Sequence, residues 1–193
     1  DARAFGVVEL QKNHIFTFNE KMENPPTNII NAGCYIFNRE LIDSIPTDRV
    51  VSVERETFPE LIARGRNLLG YVDSSYWLDI GTPAALLKAT RDLIAGSAQS
   101  QAFDQLLDGR EFFVKEGSLI ARSADIHPSA KIEAGSLISG EVSIGEEAII
   151  SASVIFERAK VGAGTSLTSS FVAANTEIPE GFIAENQFFG FLE

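Results

Sequence analysis

The 193-residue chain has one cysteine, one methionine, one tryptophan and two histidines. A single cysteine excludes an internal disulfide framework and fits a reducing compartment, so a cytoplasmic location is expected. Cys34 lies in the apolar run "AGCYIF", where a buried, inert thiol is the expected state. No apolar run approaches the roughly 20 residues of a membrane span, and no signal peptide is visible. There is no Gly-rich phosphate loop, no zinc-type Cys/His spacing and no nucleophile elbow. Basic residues are scarce. Sixteen Lys and Arg stand against twenty-seven Asp and Glu, a net charge of -11, which argues against nucleic-acid or anionic-membrane partners. The first residues, "DARAFGVVEL", enter a strand-like alternation at once without Met, so a piece of a longer protein is expected.

What is present divides into two kinds of pattern. Residues 1–96 read as mixed α/β. "AFGVVEL" and "HIFTF" predict a hairpin across "QKN". "IINAGCYIF", "NLLGYVD" and "YWLDI" predict further strands, and "NEKMENPPTN" a loop. Asn38 can cap a short helix "RELIDSI", and Pro59 and Gly65 can bracket another. Thr82, Pro83 and Gly96 have the chemistry of a cap, a first helical residue and a stop. Between them Leu86, Leu87, Thr90, Leu93 and Ile94 share one helical face. Residues 97–118 read as a connector with a helix and a short strand.

From residue 119 the period becomes six. Ile120, Ile126, Ile132, Ile138, Ile144 and Ile150 recur six apart, then Ile155, Val161, Leu167, Val172 and Ile178, with two steps of five. Small residues follow four later at Ala124, Ala130, Ser136, Ala148, Ala159 and Thr165. This period fits neither a helix nor a hairpin sheet. It predicts a left-handed parallel β-helix over 119–193, aliphatic residues inward and small ones near the corners. Its end turns and open strand edges need covering, so a homo-oligomer through this domain is expected. The Phe residues of "NQFFGFLE" can cap the last turn or cover a neighbour.

Few residues stand out as chemical candidates, and each has a structural alternative. Asp79, at the end of an apolar run before a turn and helix start, can hold Mg²⁺ or satisfy backbone N–H groups around Gly81. Glu20 and Lys21 can bind sugar hydroxyls and a phosphate, or form a solvated surface pair. Asn31-Ala32-Gly33 and Gly6 can line a ligand pocket or mark bulges. His14 and His127 read as structural.

"FGVVEL", "NEKMENPPTNIINAGCYIF" and "YWLDIGTPAALLKATRDL", in that order before hexapeptide repeats, resemble the C-terminal part of sugar-1-phosphate nucleotidyltransferases. "SVERETFPELIARG" and "GYVDSSYWLDIGTP" look most like the bacterial mannose-1-phosphate guanylyltransferases, the GDP-mannose pyrophosphorylases. The resemblance implies an α/β nucleotidyltransferase domain, Rossmann-like with a mixed sheet, followed by the β-helix. It implies catalysis through Lys21 and Asp79, with Asp79 one of two aspartates on Mg²⁺. It also implies sugar-1-phosphate binding through Gly6, Glu20, Lys21, Asn31 and Gly33, and a nucleoside triphosphate, GTP, as co-substrate. Met22 departs from the family's Pro after the Glu-Lys pair. The family's N-terminal half, with its Gly-rich loop and second metal aspartate, has no counterpart in these residues, so the chain alone is expected to be inactive. A glucose-1-phosphate adenylyl-, thymidylyl- or uridylyltransferase, a non-catalytic regulatory subunit of the same family and a hexapeptide acyltransferase are the alternatives.

Overall fold

A computed structural model describes residues 1–190. The chain forms two compact units, Asp1–Trp77 and a second from Leu78 onward. No helix among the described residues is long and apolar enough to cross a membrane.

The first unit is built on an antiparallel hairpin, β1 (Gly6–Gln11) and β2 (His14–Glu20), turning through Lys12 and Asn13 with Lys12 at φ 58°. Val8 and Phe18 from the hairpin pack against Phe58, and Leu10, Ile15, Ile29 and Leu61 surround them. Asn38 caps α1 (Arg39–Ser44), its Oδ1 accepting from the Leu41 N–H at 3.0 Å. A wide turn at Val53–Thr57 runs into α2 (Phe58–Ala63), with Pro59 in the first turn and Gly65 just past the end at φ +63°.

Three expected strands are absent. Around "IINAGCYIF" only Ile30 bridges to Val7, and of "NLLGYVD" only Leu69 bridges to His14. "YWLDI" is irregular. A strand exists only where a neighbour takes its N–H and C=O groups. Beyond those two bridges these segments make no strand pairing among the described residues. Ile36 and Tyr71 accordingly stand 99% and 92% exposed. Cys34 shares this fate and is exposed, not buried as its apolar neighbours suggested.

The second unit opens with α3 (Pro83–Ile94), capped by Thr82, whose Oγ1 accepts from the Ala85 N–H at 3.2 Å. Leu87 is buried, whereas Leu86 stays exposed at the edge of the expected face. α4 (Gln101–Asp108) and β3 (Phe112–Lys115) lead into a parallel β-helix of about four turns. Its first sheet stacks β4 (Ser118–Ala121), β7 (Leu137–Ile138), β10 (Val154–Ile155), β13 (Phe171–Val172) and β16 (Phe188–Phe189). The second stacks β5 (Asp125–Ile126), β8 (Ser143–Ile144), β11 (Lys160–Val161) and β14 (Glu177–Ile178). The third stacks β6 (Lys131–Ile132), β9 (Ile149–Ser151), β12 (Ser166–Thr168) and β15 (Ile183–Glu185). The predicted aliphatic series points inward. Ile138, Ile150, Ile155, Leu167 and Val172 are fully buried, and the series continues past Ile178 through Ala184 and Phe189.

The five-residue steps fall on one corner of the helix. There a left-handed residue (Gly135, Ala152, Ser169, Asn186) precedes the first sheet, and a column of buried serines, Ser136, Ser153 and Ser170, follows. Each hydroxyl accepts the N–H one turn on: Ser153 to Ser136 at 3.4 Å, Ser170 to Ser153 at 3.0 Å and Gln187 to Ser170 at 3.2 Å. A small hydroxyl thus completes the ladder where the tight corner leaves the backbone short of an acceptor. Outside the first sheet, Val154 and Phe171 pack against Leu87 of α3. Phe188 stacks on Phe171 with ring centroids 5.2 Å apart, and the third Phe of "NQFFGFLE" lies outside the described residues.

Candidate active site

In the first unit, β1 and β2 pair Gly6 directly opposite Glu20, so the glutamate side chain lies over a backbone that has no Cβ. An added Cβ at Gly6 would sit 2.9 Å from Glu20 Oε2 and 3.0 Å from the Phe18 ring, which is why this position holds glycine. Glu20 Oε2 is buried and has no hydrogen-bond partner. A buried acceptor left unsatisfied costs about 1–3 kcal/mol, so such an atom calls for a reason.

Lys21 follows in the left-handed region at φ 54°, its N–H donating to the Phe5 carbonyl at 3.2 Å. A non-glycine residue held there is strained by about 1–2 kcal/mol. The turn carries the chain sharply away from the hairpin directly after Glu20, leaving the lysine exposed beside a half-buried glutamate. On the other side Asn31 is tied to the same strand, its N–H donating to the Gly6 carbonyl at 2.7 Å. Its side chain makes an Asx turn, Oδ1 accepting from the Gly33 N–H at 3.1 Å. Gly33 has φ +75° and open space where a Cβ would point, so the turn's backbone, not a close contact, requires the glycine.

Two residues join the cluster that the motif reading passed over. Asn31 Nδ2 donates to Glu54 Oε1 at 2.5 Å and to the Tyr35 hydroxyl at 2.6 Å, and Tyr35 donates to Glu54 Oε1 at 2.9 Å. Tyr35 is braced by Phe37, stacked at 5.7 Å, and by Phe58, edge-on at 5.1 Å. Burial, and then the carboxylates of Glu54 and Glu20, raise the Tyr35 hydroxyl above its ordinary pKa, against the Asn31 hydrogen bond, which lowers it. Tyr35 was findable from "NAGCY", where it falls four residues after Asn31. Glu54 carried no such signal, being one acid of two in "SVERE". Together Gly6, Glu20, Asn31, Tyr35 and Glu54 present a backbone floor, two carboxylates, an amide and a phenol, with one cation next in the chain. That donor and acceptor set suits a polyhydroxylated ligand bearing an anionic group.

Asp79 belongs to the second unit. It does not end a buried strand. It is exposed on irregular chain, its carboxylate turned toward Gly81, where a Cβ would lie 3.3 Å from Oδ2. The strand failed for want of a neighbour, as above. Among the described residues no group of three or more His, Cys, Asp or Glu is gathered as a metal cage. A lone exposed carboxylate still fits Mg²⁺, which is usually held by one or two carboxylates with substrate phosphates supplying the rest. His127 is occupied in its turn, Nδ1 lying 2.8 Å from Ser129 Oγ.

Comparison with known proteins supplies an independent line. The family described as nucleotidyl transferase matches residues 1–96, and that described as GMPPB C-terminal domain matches residues 114–190. The chain is 42% identical over 166 residues to a mannose-1-phosphate guanylyltransferase of Mycobacterium tuberculosis, covering 85% of this chain and 44% of that protein. It is 25% identical over 188 residues to a glucose-1-phosphate adenylyltransferase of Clostridium perfringens (92% and 46%). It is 26% identical over 200 residues to that of Bacillus cytotoxicus (98% and 50%). The chain thus spans about half the length of the relatives it matches.

Proposed function

Because this chain belongs to the sugar-1-phosphate nucleotidyltransferase family, we propose that it is the sugar-binding part of an enzyme that makes GDP-mannose and pyrophosphate from GTP and mannose-1-phosphate. The observation that carries the reading is the buried, unpartnered Glu20 oxygen over Gly6. A sugar hydroxyl is the donor it lacks, and Asn31, Tyr35 and Glu54 extend the same polar wall. Lys21 contacts the sugar phosphate as a point charge. An oxygen of that phosphate attacks the α-phosphorus of the triphosphate, and the bond to the bridging oxygen breaks as pyrophosphate leaves. Such a reaction depends on positioning and charge neutralisation rather than a covalent nucleophile. Asp79 is a ligand for Mg²⁺, which supplies charge neutralisation at the phosphates.

The guanylyl and mannosyl specificity rests on the 42% identity to the mycobacterial protein, the relatives at 25% and 26% identity being named glucose-1-phosphate adenylyltransferases. On this reading the 193 residues by themselves do not transfer a nucleotide, because nothing in them has the make-up of a triphosphate loop. The β-helix joins copies of the chain. A pyrophosphate-release panel crossing GTP, ATP, dTTP and UTP with mannose- and glucose-1-phosphate tests the specificity on the protein that includes its upstream residues. GTP with mannose-1-phosphate is expected to turn over fastest, and preference for ATP with glucose-1-phosphate would overturn the assignment. Turnover by the purified 193-residue chain would overturn the dependence on upstream residues. A non-catalytic subunit would keep its association with partners and show no turnover with any pair.

A further inference from the structure

The segment that follows the hairpin returns to lie along the free edge of β1, opposite β2. Val8 donates its N–H to the Ile29 carbonyl at 3.1 Å, and the Gly6 carbonyl accepts from the Asn31 N–H at 2.7 Å. These two bonds flank the antiparallel bridge between Val7 and Ile30. The next bond of such a ladder would run from the Ile29 N–H to the Val8 carbonyl. A hydroxyl takes its place. Thr27 Oγ1 accepts from the Ile29 N–H at 3.1 Å and donates to the Val8 carbonyl at 3.1 Å.

A hydroxyl between donor and acceptor satisfies both groups while holding the two backbones further apart than a direct bond does. The chain can therefore part from β1 at Thr27 without stranding a polar group. The part that diverges is the loop that begins at Lys21, and its other end is pinned too, by the Lys21 N–H on the Phe5 carbonyl at 3.2 Å. Between the pins, residues 22–26 make no backbone–backbone hydrogen bond among the described residues. Pro25 and Pro26 have no N–H to offer. The path of the loop is thus set at its two ends, with Lys21 at one and Thr27 at the other.

We infer that Thr27 is a positioning residue for Lys21: its hydroxyl fixes the return of the loop on β1, and through the loop the direction from which the lysine meets the sugar phosphate. The inference rests on the proposed reading of Lys21 as the phosphate contact, and adds the residue that holds it in place. Thr27 acts through the backbone and needs no contact with substrate. Threonine suits the position, because its hydroxyl donates and accepts at once and its branched Cβ limits the side chain to few rotamers.

Steady-state kinetics of the protein that includes its upstream residues tests this. Thr27→Val keeps the shape and loses both hydrogen bonds. It should raise the KM for mannose-1-phosphate about tenfold and leave the KM for GTP unmoved. Thr27→Ser keeps the hydroxyl and should recover most of the loss. The Lys21→Met background decides the route. There Thr27→Val should cost nothing further, because the group it positions is gone. An equal rise with and without Lys21, or no recovery in Thr27→Ser, marks a general structural effect and overturns the inference. An unchanged KM in Thr27→Val, with Lys21→Met still raising it, overturns the inference and leaves the sugar-phosphate reading standing. No rise in Lys21→Met overturns both. Should Thr27→Val not fold, Thr27→Ala takes its place in the same cycle, with the same outcomes.

Discussion

Glu20 and Gly6 constrain each other, and the constraint can be tested one residue at a time. Glu20→Gln keeps the shape and removes the charge that lacks a partner. In the active protein it should raise the KM for the sugar-1-phosphate by about ten- to a hundredfold, the size of a lost hydrogen bond to a charged group. Thermal stability should hold or rise, because the buried Oε2 has no hydrogen-bond partner to lose. Gly6→Ala forces a Cβ to 2.9 Å from Oε2 and should impair sugar binding while costing about 1–3 kcal/mol of stability by overpacking against Phe18. If Glu20→Gln leaves KM unchanged, the orphan oxygen is not a sugar contact. Tyr35 offers a pH test of the same wall. Its pKa is raised in the folded state above the ordinary 10.0, so the folded form holds the proton more tightly. That stabilisation is fully present below pH 10.0 and is lost as pH rises through the folded value. The stability gap between the protein and Tyr35→Phe, followed by urea melts across that range, should therefore change with pH in this direction only.

At the scale of the element, the serine column accounts for the one irregularity in the repeat. Ser153 donates to the Ser151 carbonyl at 2.7 Å and accepts from the Ser170 N–H at 3.0 Å, in a fully buried corner. Ser153→Ala leaves that N–H with no acceptor and should cost about 1–3 kcal/mol in chemical denaturation. Ser129, whose hydroxyl accepts from the Glu147 N–H on an exposed turn, can yield its place to water, so Ser129→Ala should cost well under that. The inward series Ile120 to Ile178 was legible in the sequence because each rung contacts only its neighbours, so the pattern and the packing share one period. Helix starts at Asn38 and Thr82 were legible because caps are local hydrogen bonds. The segments around Ile36, Tyr71 and Tyr76 were not. Their apolar alternation records a propensity, while strand formation depends on a partner that no local pattern encodes. In the candidate site the ends of the hairpin, Gly6 and Glu20, were legible, whereas Glu54 reaches Asn31 from 23 positions away through a turn that nothing in "SVERE" announces.

At the scale of the whole molecule the two units differ in how much apolar surface they bury. The first centres on Val8, Phe18 and Phe58, and leaves Ile36, Val50 and Tyr71 more than nine-tenths exposed. The second stacks fully buried aliphatic residues through about four turns, a quasi-one-dimensional array in which each turn supports the next. Exposed apolar surface contributes nothing to stability, so the first unit should unfold first. The single tryptophan makes the difference observable. Trp77 lies in the first unit, edge-on to Phe5 with ring centroids 5.3 Å apart, so its fluorescence reports that unit alone. The far-UV β signal comes chiefly from the β-helix, which holds thirteen of the sixteen strands among the described residues, β4 to β16. In a urea titration the fluorescence midpoint is expected to precede the β-signal midpoint by roughly 1 M or more, given typical denaturant slopes for small units. Coincident midpoints would mean that the two units unfold as one, and the first unit would then draw its stability from the second rather than from its own small core.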